Sequence, residues 1–424
     1  MVFGSAEPSA HKPQGRIRCD SEADSTVWMR EEEKTCGLLK ELPRVTAGQF
    51  FILEDSRMEE KWMRRAIELA KQGAGFVSPN PLVGAVIVRD GVVLGEGYHQ
   101  RYGGPHAEVN AVGSADCDLT GATVYVTLEP CSHHGKTPPC ADLLIEKRVG
   151  RVVIGSDDPN PLVAGKGAEK LRAAGIRVET GFLKEECDAL NPVFFHYITR
   201  STPYVVLKTA MSLDGKIATR TGESQWITGE AARQDVQRLR HRLSGIMVGI
   251  NTVLQDDPQL TCRLPGGANP TRIIVDSHLR TPLTARVLTD QVQNRTIIAA
   301  LESCDSAKQR AIEATGALVL CCKERDGRVD LQDLMTQLGA RQIDSILLEG
   351  GGTLNDSALR QNIVQKVIAY VAPKLIGGDD AKTPVGGLGF AHLADAVELT
   401  DLQCEQIGAD WKLSADIFIR RERT

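Results

Sequence analysis

Two short segments of this 424-residue chain together supply one imidazole, two thiols and one carboxylate. Residues 105–108 read Pro-His-Ala-Glu, and residues 129–140 begin Glu-Pro-Cys and end Pro-Cys. These groups can act together only in a fold that brings the two segments side by side. One histidine and two cysteines can hold a zinc ion and leave its fourth position open, which is typical of a catalytic zinc site. The pattern His-x-Glu followed by Pro-Cys and a second cysteine is typical of zinc deaminases that act on nucleobases.

The candidate zinc ligands are His106, Cys131 and Cys140. Both segments are predicted to begin helices, where free N–H groups and a partial positive charge favour thiolates. Zinc lowers the pKa of a bound water to about 7, and Glu108 can relay protons beside the metal without binding it. Two alternatives stay open. The cysteines and the histidine could be core residues, or His133 or His134 could close a structural zinc site.

The loop between the two cysteines adds hydrogen-bond donors and a cation, since residues 132–137 read Ser-His-His-Gly-Lys-Thr. Such groups suit a substrate that carries a phosphate. A solvated polar loop is the alternative interpretation.

The composition is that of an ordinary globular protein, with 42% hydrophobic and 25% charged residues. A net charge of -5 gives no global attraction to nucleic acid or to an anionic membrane. No apolar run approaches the roughly 20 residues of a membrane span. Eleven scattered cysteines without a secretory leader favour reduced thiols. We therefore expect a cytoplasmic protein with neither a nucleic-acid partner nor a membrane partner.

Residues 1–55 differ from the rest of the chain and are predicted to form a poorly ordered extension. They mix glycine, proline, serine and charges, and they lack the apolar core of a signal peptide. Their acidic residues argue against a transit peptide. An alternative is that Met58 is the true start.

Two α/β domains are predicted to follow. Residues 56–200 combine a periodic helix at Glu59–Lys71 with a hairpin and further alternating strands and helices, which predicts an α/β sandwich. Few periodic signals precede Arg200, so we place a domain junction there. Residues 201–424 repeat the α/β alternation without repeating the sequence.

The second domain contains a glycine turn between an apolar strand and a helix, at residues 345–360. Glycines at a helix start let backbone N–H groups approach a pyrophosphate, although a tight strand–helix turn without a ligand is the alternative. Lys208 ends another apolar strand, where a lone lysine is costly unless it is paired or functional.

Several stretches resemble the family of bifunctional deaminase/reductases of riboflavin biosynthesis. In the first domain they are residues 79–84, 95–100, 105–109, 126–134, 158–161 and 164–167. In the second they are residues 208–218, 222–228, 251–261, 275–277 and 348–350. The long spacing between Cys131 and Cys140 is itself typical of this family, and the resemblance covers residues 58–424.

This resemblance implies a cytidine-deaminase-like three-layer α/β/α domain followed by a dihydrofolate-reductase-like α/β domain. It implies Zn2+ and NADPH as cofactors, and a small-molecule phosphoribosylaminopyrimidine as substrate. The implied first step replaces the 2-amino group of the pyrimidine with oxygen, and the second reduces the ribosyl group to ribityl. A homo-oligomer is expected for such folds.

Site residues follow by position from the same resemblance. In the deaminase domain, Glu108 relays protons and the implied substrate contacts are Asn80, His99, His133 and Lys136. The implied NADPH contacts are Ala210, Trp226, Thr228, Thr252, Asp256, Ser277, Gly351 and Gly352. The implied substrate contacts of the reductase are Ser224, Arg240, Leu260, Arg263 and Glu349. Lys208 is the candidate that polarises or protonates the ribose imine or carbonyl.

Alternatives remain for several of these residues. The guanidinium groups of Arg240 and Arg263 suit a substrate phosphate, but either could be a solvated surface charge. Trp226 could be a core residue.

Two other functions are weighed against this one. A deaminase of free nucleosides or RNA would not need the long cysteine loop and would favour a basic face. A non-catalytic fusion would be expected to lack Glu108 or a zinc ligand, and all four residues are present.

Overall fold

A computed structural model describes residues 47–132, 138–160, 163–291 and 295–418. The predicted extension falls mostly on residues 1–46, which lie outside the described residues. The first helix, α1 (Ala47–Lys71), begins twelve residues before the predicted start at Glu59. Residues Met58–Thr424 form one compact unit that contains both sheets. Among the described residues, no helix is long and apolar enough to cross a membrane.

The first sheet has five strands in the order β2-β1-β3-β4-β5. Its strands are β1 (Gly84–Arg89), β2 (Val92–Tyr98), β3 (Thr123–Leu128), β4 (Arg151–Ser156) and β5 (Arg177–Glu179). The predicted hairpin is confirmed, because β1 pairs antiparallel with β2. The two residues that join these strands, Asp90 and Gly91, have positive φ angles of 52° and 75°. A two-residue hairpin turn requires this backbone conformation. Strands β3, β4 and β5 run parallel.

Helices cover both faces of this sheet, which confirms the three-layer prediction. Alternate residues of β1 face opposite sides, because successive side chains of a strand point in opposite directions. Ala85 and Ile87 pack with the helices α2 (Ala107–Gly113), α3 (Cys140–Glu146) and α4 (Lys166–Ala173). Val86 and Val88 pack with α1 and with α5 (Lys184–Asp188).

The second sheet has nine strands in the order β10-β9-β8-β7-β13-β6-β14-β16-β15. They are β6 (Tyr204–Ser212), β7 (Gly245–Gly249), β8 (Thr271–Val275), β9 (Thr296–Leu301), β10 (Leu318–Cys322), β13 (Ser345–Leu348), β14 (Lys366–Ala372), β15 (Leu399–Ile407) and β16 (Asp410–Ile417). A separate small hairpin consists of β11 (Glu324–Arg325) and β12 (Arg328–Val329). The run from β10 to β14 is parallel throughout. The carboxyl ends of these strands therefore lie along one edge.

Helices also pack on both faces of the second sheet. They are α6 (Pro192–Arg200), α7 (Glu230–Arg242), α8 (Ile250–Asp256), α9 (Arg286–Thr289), α10 (Ser306–Glu313), α11 (Leu331–Gly339) and α12 (Gly352–Arg360). Helix α6 occupies the segment where sequence periodicity is weak. Its Tyr197 hydroxyl donates to the carbonyl of Gly339, 2.9 Å away. The region of the predicted domain junction is thus helical and is bonded to the second domain.

Close packing of β1 on α1 depends on one glycine. A β-carbon at Gly84 would overlap the carbonyl oxygen of Ala66, and neither backbone can move without disturbing the core. We expect Gly84→Ala to lower the free energy of unfolding by about 1–3 kcal/mol, the usual cost of overpacking. Urea denaturation measures this change. Gly113→Ala is the control, because a β-carbon there meets nothing within 4 Å; equal midpoints for both variants would contradict the prediction.

Candidate active sites

The three predicted zinc ligands converge in the first domain. His106 caps the start of α2, Cys131 lies just beyond the end of β3, and Cys140 begins α3. Their ligand atoms lie within 4.8 Å of one another. The Nδ1 atom of His106 is 3.3 Å from the Cys140 sulfur and 3.6 Å from the Cys131 sulfur. One imidazole and two thiols are a donor set that zinc prefers, so the residues present fit the metal.

The electrostatics of this cluster favour a thiolate. The backbone N–H of Cys140 donates to the Cys131 sulfur over 3.3 Å. A hydrogen bond from the Cys140 thiol, aided by His106, lowers the pKa of Cys131 to about 4. The same thiol–thiol bond raises the pKa of Cys140. The thiolate is the form of cysteine that binds metal.

Glu108 lies in the first turn of α2 and is only 3% exposed. Burial raises the pKa of its carboxyl to about 7. The carboxyl also interacts with His106 and with both cysteines. A carboxyl that titrates near neutral pH can both accept and donate a proton at that pH. Glu108 therefore has the position and the proton affinity of an acid–base group.

Asn80 and His99 border the same cluster. The ring of His99 lies edge-on to that of His106, with centroids 5.5 Å apart. His99 Nδ1 is 2.9 Å from the carbonyl of Pro105 and donates to it, so Nε2 accepts from the Asn80 amide over 3.1 Å. This bonding fixes the orientation of both side chains. Of the other predicted substrate contacts in this domain, His133 and Lys136 lie outside the described residues.

Glu129 is a site residue that sequence reasoning missed. Its buried carboxylate accepts hydrogen bonds from the backbone N–H groups of Gly165 (2.9 Å) and Ala168 (3.1 Å). A β-carbon at Gly167 would overlap the carbonyl oxygen of Pro130. The chain immediately before Cys131 is thus held against the start of α4. The sequence did carry a signal for this close contact, because residues 165–167 read Gly-Lys-Gly and glycines allow backbones to approach closely.

A cavity of about 1180 Å³ opens at the carboxyl edge of the second sheet. Most of the residues predicted for the reductase line it, namely Lys208, Ala210, Ser224, Thr252, Asp256, Ser277, Glu349, Gly351 and Gly352. They come from different strands and converge because parallel strands end at the same edge. The predicted residues that do not line the cavity are Trp226, Thr228, Arg240, Leu260 and Arg263.

The glycine turn at one wall of this cavity needs its glycines. Gly351 caps the start of α12, and a β-carbon at Gly352 would lie 2.9 Å from the carbonyl oxygen of Thr383. Asn355, which the sequence did not indicate, donates to the carbonyls of Gly350 (3.2 Å) and Pro384 (2.7 Å). These bonds hold the turn so that the helix start faces the cavity.

Glu349 is the centre of a buried ion cluster and is 12% exposed. The Nε and Nη2 atoms of Arg240 donate to its two oxygens over 2.9 and 3.1 Å. The Nζ atom of Lys208 lies 3.6 Å away. Burial by itself would raise the pKa of Glu349, but the charges of Arg240 and Lys208 lower it to about 2. The carboxylate therefore stays ionised at neutral pH and holds Lys208 beside the cavity.

The remaining guanidinium nitrogen of Arg240, Nη1, donates to the carbonyl of Thr261 over 3.1 Å. Every nitrogen of this guanidinium thus makes a bond within the protein, and Arg240 holds Glu349 in place. A guanidinium has five N–H groups, and the contact of Arg240 with the substrate stays a prediction. Arg240 is not a solvated surface charge, because its side chain is 13% exposed.

Three of the predicted residues that do not line the cavity have different surroundings. Trp226 is 58% exposed and is not a core residue; the guanidinium of Arg233 lies 4.7 Å from its ring centroid. Leu260 is buried in the core below the sheet. The side chain of Arg263 is exposed, while its backbone N–H donates to Gln237 over 2.9 Å.

Removal of Arg240 tests how much its pairing with the buried carboxylate of Glu349 stabilises the protein. We expect Arg240→Met to destabilise the protein by about 1.5–3 kcal/mol, because Glu349 would lose its charged hydrogen bonds to Arg240 and keep only Lys208 as a cation. Urea denaturation followed by fluorescence measures the loss. Arg310→Met is the matched control, since Arg310 is exposed on α10. Equal urea midpoints for the two variants would show that the ion cluster is not required for stability.

The fold and the sites together define a class of protein in which one chain carries a deaminase domain with a zinc-binding region and a reductase domain. Residues 56–156 match the family model of the cytidine and deoxycytidylate deaminase zinc-binding region. Residues 203–413 match that of the RibD C-terminal domain.

Relatives match more than four fifths of the chain. The riboflavin biosynthesis protein RibD of Actinobacillus pleuropneumoniae is 58% identical over 82% of this chain and 93% of its own length. The structure of Acinetobacter baumannii RibD is 39% identical, with a TM-score of 0.77 over 86% of this chain and all of that chain. The chain is also similar to a structure from Thermotoga maritima, a diaminohydroxyphosphoribosylaminopyrimidine deaminase/5-amino-6-(5-phosphoribosylamino)uracil reductase. The two are 38% identical, and the match has a TM-score of 0.75 over 86% of this chain and all of that chain.

This chain therefore belongs to the RibD family, the bifunctional deaminase/reductases of riboflavin biosynthesis. The family and the two folds predicted from the sequence are confirmed.

Proposed function

We propose that the chain deaminates 2,5-diamino-6-(5-phosphoribosylamino)pyrimidin-4(3H)-one and then reduces the ribosyl group of the resulting 5-amino-6-(5-phosphoribosylamino)uracil. Residues 56–200 would carry the first step and residues 201–424 the second. The similarity to the Thermotoga maritima protein supports these substrates. The observation that carries the proposal is the pair of separate sites, a thiol–imidazole cluster beside a buried carboxyl and a large cavity beside a paired lysine.

In the deamination, His106, Cys131 and Cys140 would hold zinc, which when bound supplies a Lewis acid that activates water at neutral pH. Glu108 takes a proton from the attacking water and delivers one to the leaving nitrogen. The water oxygen bonds to C2 of the pyrimidine as the C2–N bond breaks, and ammonia leaves. The net change replaces an amino group with a carbonyl.

The substrate would be held by the residues around this cluster. Asn80 and His99 would contact the substrate, and Asn80, held by its hydrogen bond to His99, would hydrogen-bond the pyrimidine ring. His133 and Lys136 would contact the phosphoribosyl end, where their hydrogen-bond donors suit a phosphate.

In the reduction, NADPH would lie along the cavity wall, and when bound it supplies a hydride to C1 of the ribose. Lys208 polarises the ribose oxygen or nitrogen and provides the balancing proton. Glu349 keeps Lys208 in place through their ion pair, and Arg240 positions Glu349. The proposed dinucleotide contacts are Ala210, Trp226, Thr228, Thr252, Asp256, Ser277, Gly351 and Gly352. The proposed substrate contacts are Ser224, Arg240, Leu260, Arg263 and Glu349.

An isosteric change at Glu108 tests the deaminase. We expect Glu108→Gln to retain one zinc per chain but to lower the rate of ammonia release by about 10²–10⁴-fold, the usual contribution of general acid–base catalysis. Zinc is measured by atomic absorption, and ammonia by a coupled assay. Reduction of the deaminated substrate is the internal control and should be unchanged. Retained deamination would contradict the role assigned to Glu108.

A truncation at Lys208 tests the reductase. We expect Lys208→Ala to lower NADPH oxidation by about 10²-fold or more, because the reacting oxygen or nitrogen loses its proton donor. Ammonia release by the same variant should be unchanged. Lys308→Ala is the matched control, since Lys308 is exposed on α10. If the Lys208 variant lost only deamination, the assignment of the two reactions to the two domains would be wrong.

A further inference from the structure

A loop of the first domain borders the deaminase site and is also in contact with the second domain. This loop, residues 72–83, joins α1 to β1 and contains turns but no helix or strand. It carries Asn80, whose side-chain amide donates to His99 beside the candidate zinc ligands. A residue of the second domain that touches the loop is His241, in the last turn of α7.

Gly75 and Phe76 of this loop lie directly against His241. The Phe76 ring meets the imidazole edge-on, with centroids 5.0 Å apart and planes inclined by 67°. Gly75 has a φ of 79°, and a β-carbon there would overlap Cε1 of the imidazole and lie 2.5 Å from the carbonyl oxygen of His241. Only a glycine permits so close an approach of one backbone to another residue. The contact between the two domains is therefore tight at this point.

His241 is itself fixed within the second domain. Its Nδ1 atom accepts from the backbone N–H of Ala268 over 2.9 Å, so the neutral ring carries its proton on Nε2. Burial lowers the pKa of His241 more than a hydrogen bond to the backbone of Ala74 raises it, which favours the neutral ring. The preceding residue, Arg240, is bonded to the buried carboxylate of Glu349. The imidazole is therefore a fixed point on which the loop packs.

The loop connects this contact to Asn80 over a short distance. Phe76 lies four residues before Asn80, and the backbone N–H of Asn80 donates to the carbonyl of Val77 over 2.8 Å. A β-carbon at Gly73 would overlap the carbonyl oxygen of His99. A displacement of Phe76 would therefore move the turn that carries Asn80 and disturb its packing beside His99.

The end of the loop after Asn80 is held within the first domain. The side chain of Asn191, which is 3% exposed, accepts from the N–H of Leu82 over 2.8 Å and donates to the carbonyl of Leu82 over 2.9 Å. Asn80 thus lies between two anchors. The one that follows it belongs to its own domain, and the one that precedes it is His241 of the other domain.

We propose that His241 is a positioning residue for the deamination, although it belongs to the reductase domain: it holds residues 74–76 so that Asn80 meets the pyrimidine. This inference rests on the proposed deaminase function, in which Asn80 contacts the pyrimidine ring. A hydrogen bond weakens steeply when its distance or angle departs from the preferred range. A loop that is free to shift would therefore bind the substrate less well.

The proposal separates binding from chemistry. Glu108 lies on α2, and the zinc ligands lie at the starts of α2 and α3 and just after β3. None of these elements is part of the loop, so its displacement leaves the reacting groups in place. A loss of substrate binding without a loss of the chemical step raises KM and leaves kcat unchanged. A contact that served stability alone would lower the melting temperature and leave KM unchanged.

Steady-state ammonia release by the zinc-loaded full chain tests the proposal. His241→Ala and Phe76→Ala are each expected to raise the KM for the diaminopyrimidine substrate at least threefold, with kcat within twofold of the wild type. The double variant should raise KM no more than the stronger single variant, because both changes remove the same contact. Reduction of the deaminated substrate by Phe76→Ala should be unchanged.

Two further variants serve as controls. Phe76→Tyr keeps the aromatic ring and should retain the wild-type KM, since Phe76 is 46% exposed and an added hydroxyl can reach solvent. His392→Ala removes an exposed imidazole elsewhere in the second domain and should also behave as the wild type.

The outcomes separate this contact from the deaminase itself. An unchanged KM in both single variants, or a fall in kcat alone, overturns the proposal and leaves the deaminase standing. Additive effects in the double variant overturn it too, because the two residues would then act independently. A wild type that releases no ammonia from this substrate refutes the proposed deaminase function instead. If melting curves show that His241→Ala is unfolded, Phe76→Ala and Phe76→Tyr decide the question, because the half-exposed Phe76 is not part of the core.

Discussion

An ionised carboxylate buried beside the second cavity organises much of this structure. Glu349 would not stay ionised at that depth without cations, since burial alone favours the neutral acid. Arg240 and Lys208 supply the charge, one from helix α7 and the other from strand β6. The cluster therefore joins a helix and two neighbouring strands at the edge where the cavity opens. The parallel pairing of β6 with β13 brings Lys208 beside this carboxylate, because Leu207 pairs with Leu348.

The first site depends on a different constraint, the close approach of backbones. Cys131 follows Pro130, whose carbonyl lies against Gly167, and the adjacent Glu129 caps the start of α4. Cys140 then returns to Cys131 through its backbone N–H. Small residues and one buried carboxylate thus bring the sulfurs together without a disulfide. A site built in this way sets the ligand positions to within the reach of one metal ion.

Much of this arrangement could be predicted from the chain. The end of helix α1 at Lys71 and the hairpin of β1 and β2 were both predicted, because their patterns are strong. Helix α6 was missed because its periodicity is weak, and its place is decided by contacts such as that of Tyr197 with Gly339. Motif spacing identified the zinc ligands, because chemistry at one metal ion restricts residue types severely.

The role of Arg240 could not be predicted in the same way. Its sequence context suits a phosphate ligand, which stays a prediction. The fold also places it 2.9 Å from a carboxylate that is 109 residues away in the chain, a contact that the sequence did not indicate. Nothing local distinguishes an arginine that meets a substrate from one that meets a glutamate.

The sequence by itself determined the types of chemistry available here: two thiols, an imidazole and a carboxyl at one site, and a lysine with a glycine turn at the other. It determined the two folds as well, since strand and helix periodicity and the family motifs are local properties. Only the tertiary structure decided which charged groups pair and which remain available for a ligand. The reason is physical: pairing depends on distance and burial, and both arise when strands far apart in the chain end at the same edge of a sheet.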